Sequence, residues 1–166
     1  MRFKITLTPE KGSIKLPYSY SYHLASVIYS FLGKSDPSFS KFLHQEGYRH
    51  DDKTFKLFTF SPLLTPQRKA LEHEIVLGGK LEWLISSPRE DFLSHLVDGI
   101  LNAGHFSLMK QNLLVEQVEV MKPSSFNNGS ISLRALSPIV ASTGERKQSG
   151  TFRKRYLSPV EDKFYQ

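Results

Sequence analysis

Three polar side chains between His23 and Ser61 are of the types that metal-free phosphodiester chemistry uses: the phenol of Tyr29, the imidazole of His44 and the ammonium of Lys56. An imidazole with an unperturbed pKa of about 6.5 accepts and returns a proton near neutral pH. A phenol, with a reference pKa near 10, is a poor base but a good hydrogen-bond donor. A fixed cation stabilises charge that develops on a phosphate. Such a set suits cleavage of RNA, whose ribose 2′-hydroxyl is a built-in nucleophile. Metal chemistry has less support. There is no cysteine, the six histidines (His23, His44, His50, His73, His95, His105) lack metal-ligand spacing, and Asp51-Asp52 is the only close carboxylate pair away from helix starts. A two-metal nuclease site, a P-loop, a GxGxxG turn and an HExxH helix are not found.

The elements around these residues follow from hydrophobic spacing. Leu24, Val27, Ile28, Phe31 and Leu32 recur at helical period, and Gly33 is the expected stop. At roughly 100° per residue, Tyr29 lies about 140° from Leu24, at the edge of the apolar stripe. Asp36 and Pro37 restart a helix as N-cap and first helical residue, with Phe39, Phe42 and Leu43 on its apolar face and Gly47 at its end. His44 stands off that face. A basic loop with Arg49, His50 and Lys53 leads to Lys56 and the apolar run Leu57–Phe60, read as a strand. This places all three residues within reach of a common cleft.

Phe3, Ile5 and Leu7 alternate with polar residues, as in a half-buried strand rather than a signal peptide, and Pro9 to Pro17 reads as a loop. Pro62 and Pro66 make the Leu57 strand an edge. Two apolar runs, 72–77 and 80–85, flank Gly78-Gly79, which predicts a tight hairpin. Trp83 is assigned to the core, with base stacking on a sheet face as the alternative. Ser87-Pro88-Arg89-Glu90 predicts a capping box opening a helix through Phe92, Leu93, Leu96, Val97, Ile100 and Leu101, stopped by Gly104. His95 borders that stripe as a packing residue. Leu113 to Met121 is a last strand. The order βαββαβ predicts an α+β, ferredoxin-like (RRM-like) domain over 1–123, with a four-stranded antiparallel sheet and helices on one face. That fold hosts many functions and does not by itself imply RNA binding.

Beyond Pro123 the chain turns polar. Residues 124–166 read as a β-hairpin with a polar tip, and Ser158-Pro159 as the start of a further helix. Glu145 to Arg155 holds one acid and five bases, Arg146, Lys147, Arg153, Lys154 and Arg155, the densest basic patch. The formal net charge of +6 favours a polyanionic partner. No 18-residue apolar run predicts a membrane span. The lack of cysteine fits a reducing, cytoplasmic location.

Several segments together resemble a known family. They are MRFKITLTPE, LPYSYSYHLASVIY, the FLH triplet, KLFTFSPL, NGSISLRALSPI and a following FYQ, in order along nearly all 166 residues. The pattern is similar to the CRISPR-associated endoribonucleases that cut repeat RNA into guide RNAs, the sixth of the Cas protein families. The resemblance implies a catalytic Tyr, His and Lys, which fall on Tyr29 in SVIYS, His44 in FLHQE and Lys56 in FKLFTFS. Arg49, His50 and Lys53 stand close enough to substitute for Lys56. Arg49 and Lys53, with the basic patch at Arg146, Lys147, Arg153, Lys154 and Arg155, are assigned to RNA. The implied reaction needs no cofactor and leaves a 2′,3′-cyclic phosphate and a 5′-hydroxyl. The implied partners are CRISPR repeat RNA, other CRISPR effector subunits and a second copy of the chain, with no membrane. Family members continue into a second, similar fold that ends in a glycine-rich loop. No such loop precedes Gln166, so 124–166 is read as the beginning of an incomplete second domain. The competing classes are a non-catalytic repeat-RNA-binding module and a ferredoxin-like assembly domain without RNA.

Overall fold

The computed structural model describes residues 1–122, 135–136, 140–146, 152–158 and 160–161. They form β1 (Arg2–Pro9), β2 (Ser13–Pro17), α1 (Ser21–Ser35), α2 (Pro37–Gln45), β3 (Tyr48–His50), β4 (Lys53–Phe55), β5 (Thr59–Phe60), β6 (Arg68–Ala70), β7 (Glu74–Gly78), β8 (Leu81–Ser86), α3 (Glu90–Ala103), β9 (His105–Leu108), β10 (Gln111–Met121), β11 (Ser142–Arg146) and β12 (Phe152–Tyr156). The chain divides into two compact units, Met1–Gly129 and Ser130–Gln166.

The first unit is built on an antiparallel sheet in the order β5-β8-β1-β10-β9. Its four strands β5-β8-β1-β10, with α1 following β1 and α3 joining β8 to β10, are the ferredoxin-like arrangement. β9 is a fifth strand that the sequence reading missed. It is only four residues long, and it joins β10 through Met109 and Lys110, both at positive φ (51° and 64°), as a tight turn between twisted strands requires.

The core lies between this sheet and the helices. Phe3, Ile5 and Leu7 of β1 meet Leu24, Ile28, Phe31 and Leu32 of α1 and Phe92, Leu96 and Ile100 of α3. Trp83 is fully buried opposite Ile5, so it belongs to the core and is closed to base stacking. The outer face of the sheet is held by ion pairs. Lys4 bonds Glu119 at 2.7 Å and lies 3.8 Å from Glu82, while Glu116 accepts from Lys80 and Thr8. Where α1 crosses α3, Gly99 is forced: a Cβ there would stand 2.0 Å from the Phe31 carbonyl oxygen.

Several local expectations are corrected. α1 runs through Gly33 to Ser35, because the breaker is the pair Asp36-Pro37. The ring of Pro37 disfavours helical backbone at Asp36, which is extended (φ −141°, ψ 102°). Residues 13–17 are a strand, not a loop, pairing with β7 in a small sheet β2-β7-β6. The 78–79 hairpin does not form, because β7 and β8 belong to different sheets. The Gly78 and Gly79 N–H groups donate instead to Gln67 and Gly12 carbonyls. The basic loop after α2 is a hairpin, β3 with β4, turning at Asp51 (φ 50°). The Leu57 strand shrinks to Thr59–Phe60, since Leu57 takes a left-handed φ of 54°. The Ser87 capping box is absent. The Ser87 hydroxyl accepts from the Arg89 N–H and donates to the Leu57 carbonyl, and α3 begins at Glu90 after an extended Arg89.

In the second unit β11 and β12 form an antiparallel hairpin with Ser142 opposite Tyr156 and Glu145 opposite Arg153. Past it, the Ser158 N–H donates to the Glu161 carboxylate at 2.7 Å, one half of a capping box. Lys147, and the residues between Pro123 and Arg134, lie outside the described residues.

Candidate active site

Two helices and the strand-like segment after them bring Tyr29, His44 and Lys56 into one place. The α1–α2 turn folds the second helix back on the first. Asp36 caps α2, its carboxylate accepting from the Ser38 and Phe39 N–H groups at 2.8 and 2.9 Å. The Ser40 hydroxyl then donates to the Tyr29 carbonyl at 3.0 Å and pins α2 to α1 beside the phenol. The rings of Tyr29 and His44 meet edge to face, centroids 5.0 Å apart at 82°. Tyr29 packs its other side against Phe58, which stacks on Phe92 of α3 at 4.9 Å.

Tyr29 is half-buried, and burial pushes its phenol pKa above the usual value. It therefore remains a neutral donor across the working pH range. The imidazole of His44 is exposed in the last turn of α2. The Lys56 ammonium donates to the His44 carbonyl at 2.9 Å. This carbonyl is among the last four of α2, which have no partner inside the helix, and a cation there also matches the helix dipole. A lysine ammonium has three donors, so two remain for another acceptor.

Gly47 makes this approach possible, a role beyond the helix stop assigned to it from sequence. Its φ is +72°, its N–H donates to the Phe42 carbonyl, and a Cβ would sit 2.7 Å from the Phe55 carbonyl oxygen and 3.2 Å from Lys56 Cδ. The helix stop was legible; the contact with a chain segment eight residues on had no sequence signal. Arg49, His50 and Lys53 are exposed on the β3–β4 hairpin, with His50 beside Asp51 at 3.7 Å. Tyr48, at the root of that hairpin, meets Phe42 edge to face and carries the Arg89 guanidinium 5.0 Å above its ring.

Arg146 and Arg153 lie on β11 and β12, Lys154 stands over the Tyr156 ring at 5.6 Å, and Arg155 pairs with Glu161. Among the described residues no group of three or more His, Cys, Asp or Glu residues is arranged to hold a metal ion. No helix among them is long and apolar enough to cross a membrane.

Residues 15–119 match the family model described as CRISPR-associated protein Cas6, N-terminal. The chain is 31% identical to CRISPR-associated endoribonuclease Cas6 1 of Methanocaldococcus jannaschii, covering 100% of this chain and 61% of the relative. It is 29% identical to CRISPR-associated endoribonuclease Cas6 of Pyrococcus furiosus, covering 99% and 60%. The chain thus spans about three-fifths of the length of these relatives. A solved structure titled as the characterization of a Cas6-related gene from Pyrococcus furiosus superposes with a TM-score of 0.78 at 24% identity, covering 99% of this chain and 65% of that one. This last match speaks to the fold.

Proposed function

The chain belongs to the Cas6 family of CRISPR-associated proteins, and from that premise we propose that it binds CRISPR repeat RNA and cleaves it without a metal ion, in the cytoplasm. The 2′-oxygen attacks the adjacent phosphorus, the P–O5′ bond breaks, and the ends are a 2′,3′-cyclic phosphate and a 5′-hydroxyl. The observation that carries this reading is the edge-to-face pair of Tyr29 and His44 with Lys56 tied to the His44 carbonyl.

In this mechanism the exposed imidazole of His44 takes the 2′-hydroxyl proton as the O2′–P bond forms. A positioned base of this kind contributes roughly 10²–10⁴ in rate. Tyr29, kept neutral by burial, donates to the reacting phosphate or to the departing 5′-oxygen rather than acting as base. Lys56, anchored through one donor, offers its remaining donors to the phosphate oxygens as charge builds. Arg49 and Lys53 on the exposed hairpin bind phosphates of the RNA, and Arg146, Lys147, Arg153, Lys154 and Arg155 bind others. Residues 1–123 form the RNA-processing domain. Further effector subunits and a second copy of the chain are its protein partners.

The contact of Lys56 with a backbone carbonyl also favours a second reading, a module that holds repeat RNA without cutting it, because there the ammonium serves α2. A His44→Ala variant separates the two. The proposed enzyme loses cleavage while keeping most of its RNA affinity. Cleavage retained by that variant removes His44 from the mechanism, and a wild-type chain that binds without cutting supports the module.

A further inference from the structure

Leu57 takes a left-handed φ of 54° between Lys56, which bonds the His44 carbonyl, and Phe58, which packs on Tyr29. A leucine has no local side-chain bond that favours this conformation, so the surrounding structure must hold it. The Ser87 hydroxyl does so, donating to the Leu57 carbonyl at 2.7 Å while accepting from the Arg89 N–H at 3.0 Å. Ser87 is 2% exposed, and its backbone is tied to the edge of β1, its N–H donating to the Met1 carbonyl at 3.1 Å. Residues 56–58 belong to no strand. The bond therefore runs from a fixed support to a segment with no ladder of its own. The same turn from β8 into α3 reaches the hairpin that precedes Lys56. Arg89 lies over the Tyr48 ring, and the Asp91 carboxylate fixes its guanidinium through bonds of 3.2 and 2.5 Å. Asp91 also accepts from the Phe92 N–H at 2.7 Å, which anchors it in the first turn of α3. The guanidinium holds the Asp91 carboxyl below the usual carboxylate range, so the pair stays ionised near neutral pH. Tyr48 is paired with Phe55, the residue before Lys56.

We propose that Ser87 and Arg89 are positioning residues for the cleavage reaction. Ser87 sets where the Lys56 ammonium stands, and Arg89 sets the base of the β3–β4 hairpin that leads into it. Neither touches the RNA. The proposal rests on the reading of the chain as a repeat-RNA enzyme with Lys56 at the reacting phosphate. Without the Ser87 hydroxyl the Leu57 carbonyl and the Arg89 N–H lose their partners. Leu57 then relaxes out of the left-handed region and carries Lys56 with it. A charge-stabilising group displaced by up to 1 Å loses up to about 10² in rate.

The test is single-turnover cleavage of repeat RNA by the full chain, beside thermal melts and anisotropy over a salt series. Ser87→Ala lowers the rate at saturating RNA by about 10–10² and keeps its RNA affinity. Thr65→Ala is the control. The Thr65 hydroxyl likewise donates to a carbonyl, that of Gly78 at 2.9 Å, and accepts from an N–H, that of Gln67 at 3.0 Å, but beside the small sheet. That variant melts lower and cleaves at the parent rate; equal rate losses in both variants overturn the proposal. In a Lys56→Met background Ser87→Ala has no further effect, because it acts through the ammonium. A full additional loss there overturns the proposal, as does a parent rate in Lys56→Met alone. Arg89 is exposed, so Arg89→Gln carries the test without a buried change. Its rate falls by about tenfold, Arg89→Lys restores most of it, and the salt slope stays that of the parent. A slope reduced by about 0.7, the value for one phosphate contact on a single strand, makes Arg89 a direct RNA contact and overturns its positioning role. Parent rates in both Ser87→Ala and Arg89→Gln overturn the proposal while leaving the proposed enzyme intact. A wild-type chain that does not cleave overturns both.

Discussion

Replacing Gly47 by alanine tests whether the approach of the Lys56 segment to α2 serves the chemistry. The added methyl meets two penalties. At φ +72° an L-residue sits in the left-handed region, which costs about 1–2 kcal/mol. The new Cβ also falls 2.7 Å from the Phe55 carbonyl oxygen, a backbone atom that no rotamer change can move, and 3.2 Å from Lys56 Cδ. Relief requires β4 and Lys56 to move off the end of α2 by several tenths of an ångström. Against this stands a gain of about 0.4–1 kcal/mol from a less flexible unfolded chain. The net is a destabilisation of roughly 1–3 kcal/mol, or a melting temperature lowered by about 2–4 °C per kcal/mol. Displacing a charge-stabilising group by up to 1 Å carries a rate penalty of up to about 10². The assay is a thermal melt beside single-turnover cleavage of repeat RNA. A lowered melting temperature with an unchanged rate would refute the positioning argument. An unchanged melting temperature would show that the close approach does not exist.

Other variants probe separate links. Gly99→Ala at the α1–α3 crossing, where the Cβ would lie 2.0 Å from the Phe31 carbonyl oxygen, is expected to cost about 3 kcal/mol or more in a urea titration; a midpoint near that of the parent contradicts the crossing geometry. Lys56→Met removes the bond to the His44 carbonyl and costs roughly 0.5–1.5 kcal/mol of stability, while single-turnover cleavage falls by about 10²–10³. Wild-type cleavage in that variant would confine Lys56 to capping α2. Burial raises the phenol pKa of both Tyr29 and Tyr20, the latter despite the Leu63 N–H that it accepts. Their protons are held more tightly folded than unfolded, so stability is level below pH about 10 and declines as pH rises past it. Denaturant midpoints at pH 9 and 11 should show that decline, reduced in Tyr29→Phe, and a flat profile would contradict it.

The helices were readable because each carries its own signal. The α1 stripe, the Asp36-Pro37 start of α2 and the left-handed Gly104 that ends α3 all depend on neighbours within a turn. The same stripes placed Tyr29 and His44 at the edges of two faces, and only the Ser40 bond and the Asp36 cap settle that these edges meet. The sheets were less readable, since pairing is a choice between distant partners. Residues 72–77 and 80–85 look like a hairpin from their sequence, yet β8 pairs with β1 and β7 with β2 in a separate sheet. β9 was missed because four residues with two inward side chains give too short a pattern. The left-handed Leu57 breaks a run that looked continuous, and the carbonyl it exposes is taken by Ser87, thirty positions away.

The central claim is that this chain cleaves RNA through the ribose 2′-hydroxyl with side chains alone. Incubating the full chain with repeat RNA in EDTA, beside the same RNA bearing a 2′-deoxy group at the scissile position, tests it most directly, with the ends analysed by mass spectrometry. The account predicts cutting of the first RNA only, to a 2′,3′-cyclic phosphate and a 5′-hydroxyl. Cutting of the deoxy substrate, or cutting that stops in EDTA and returns with magnesium, would contradict it.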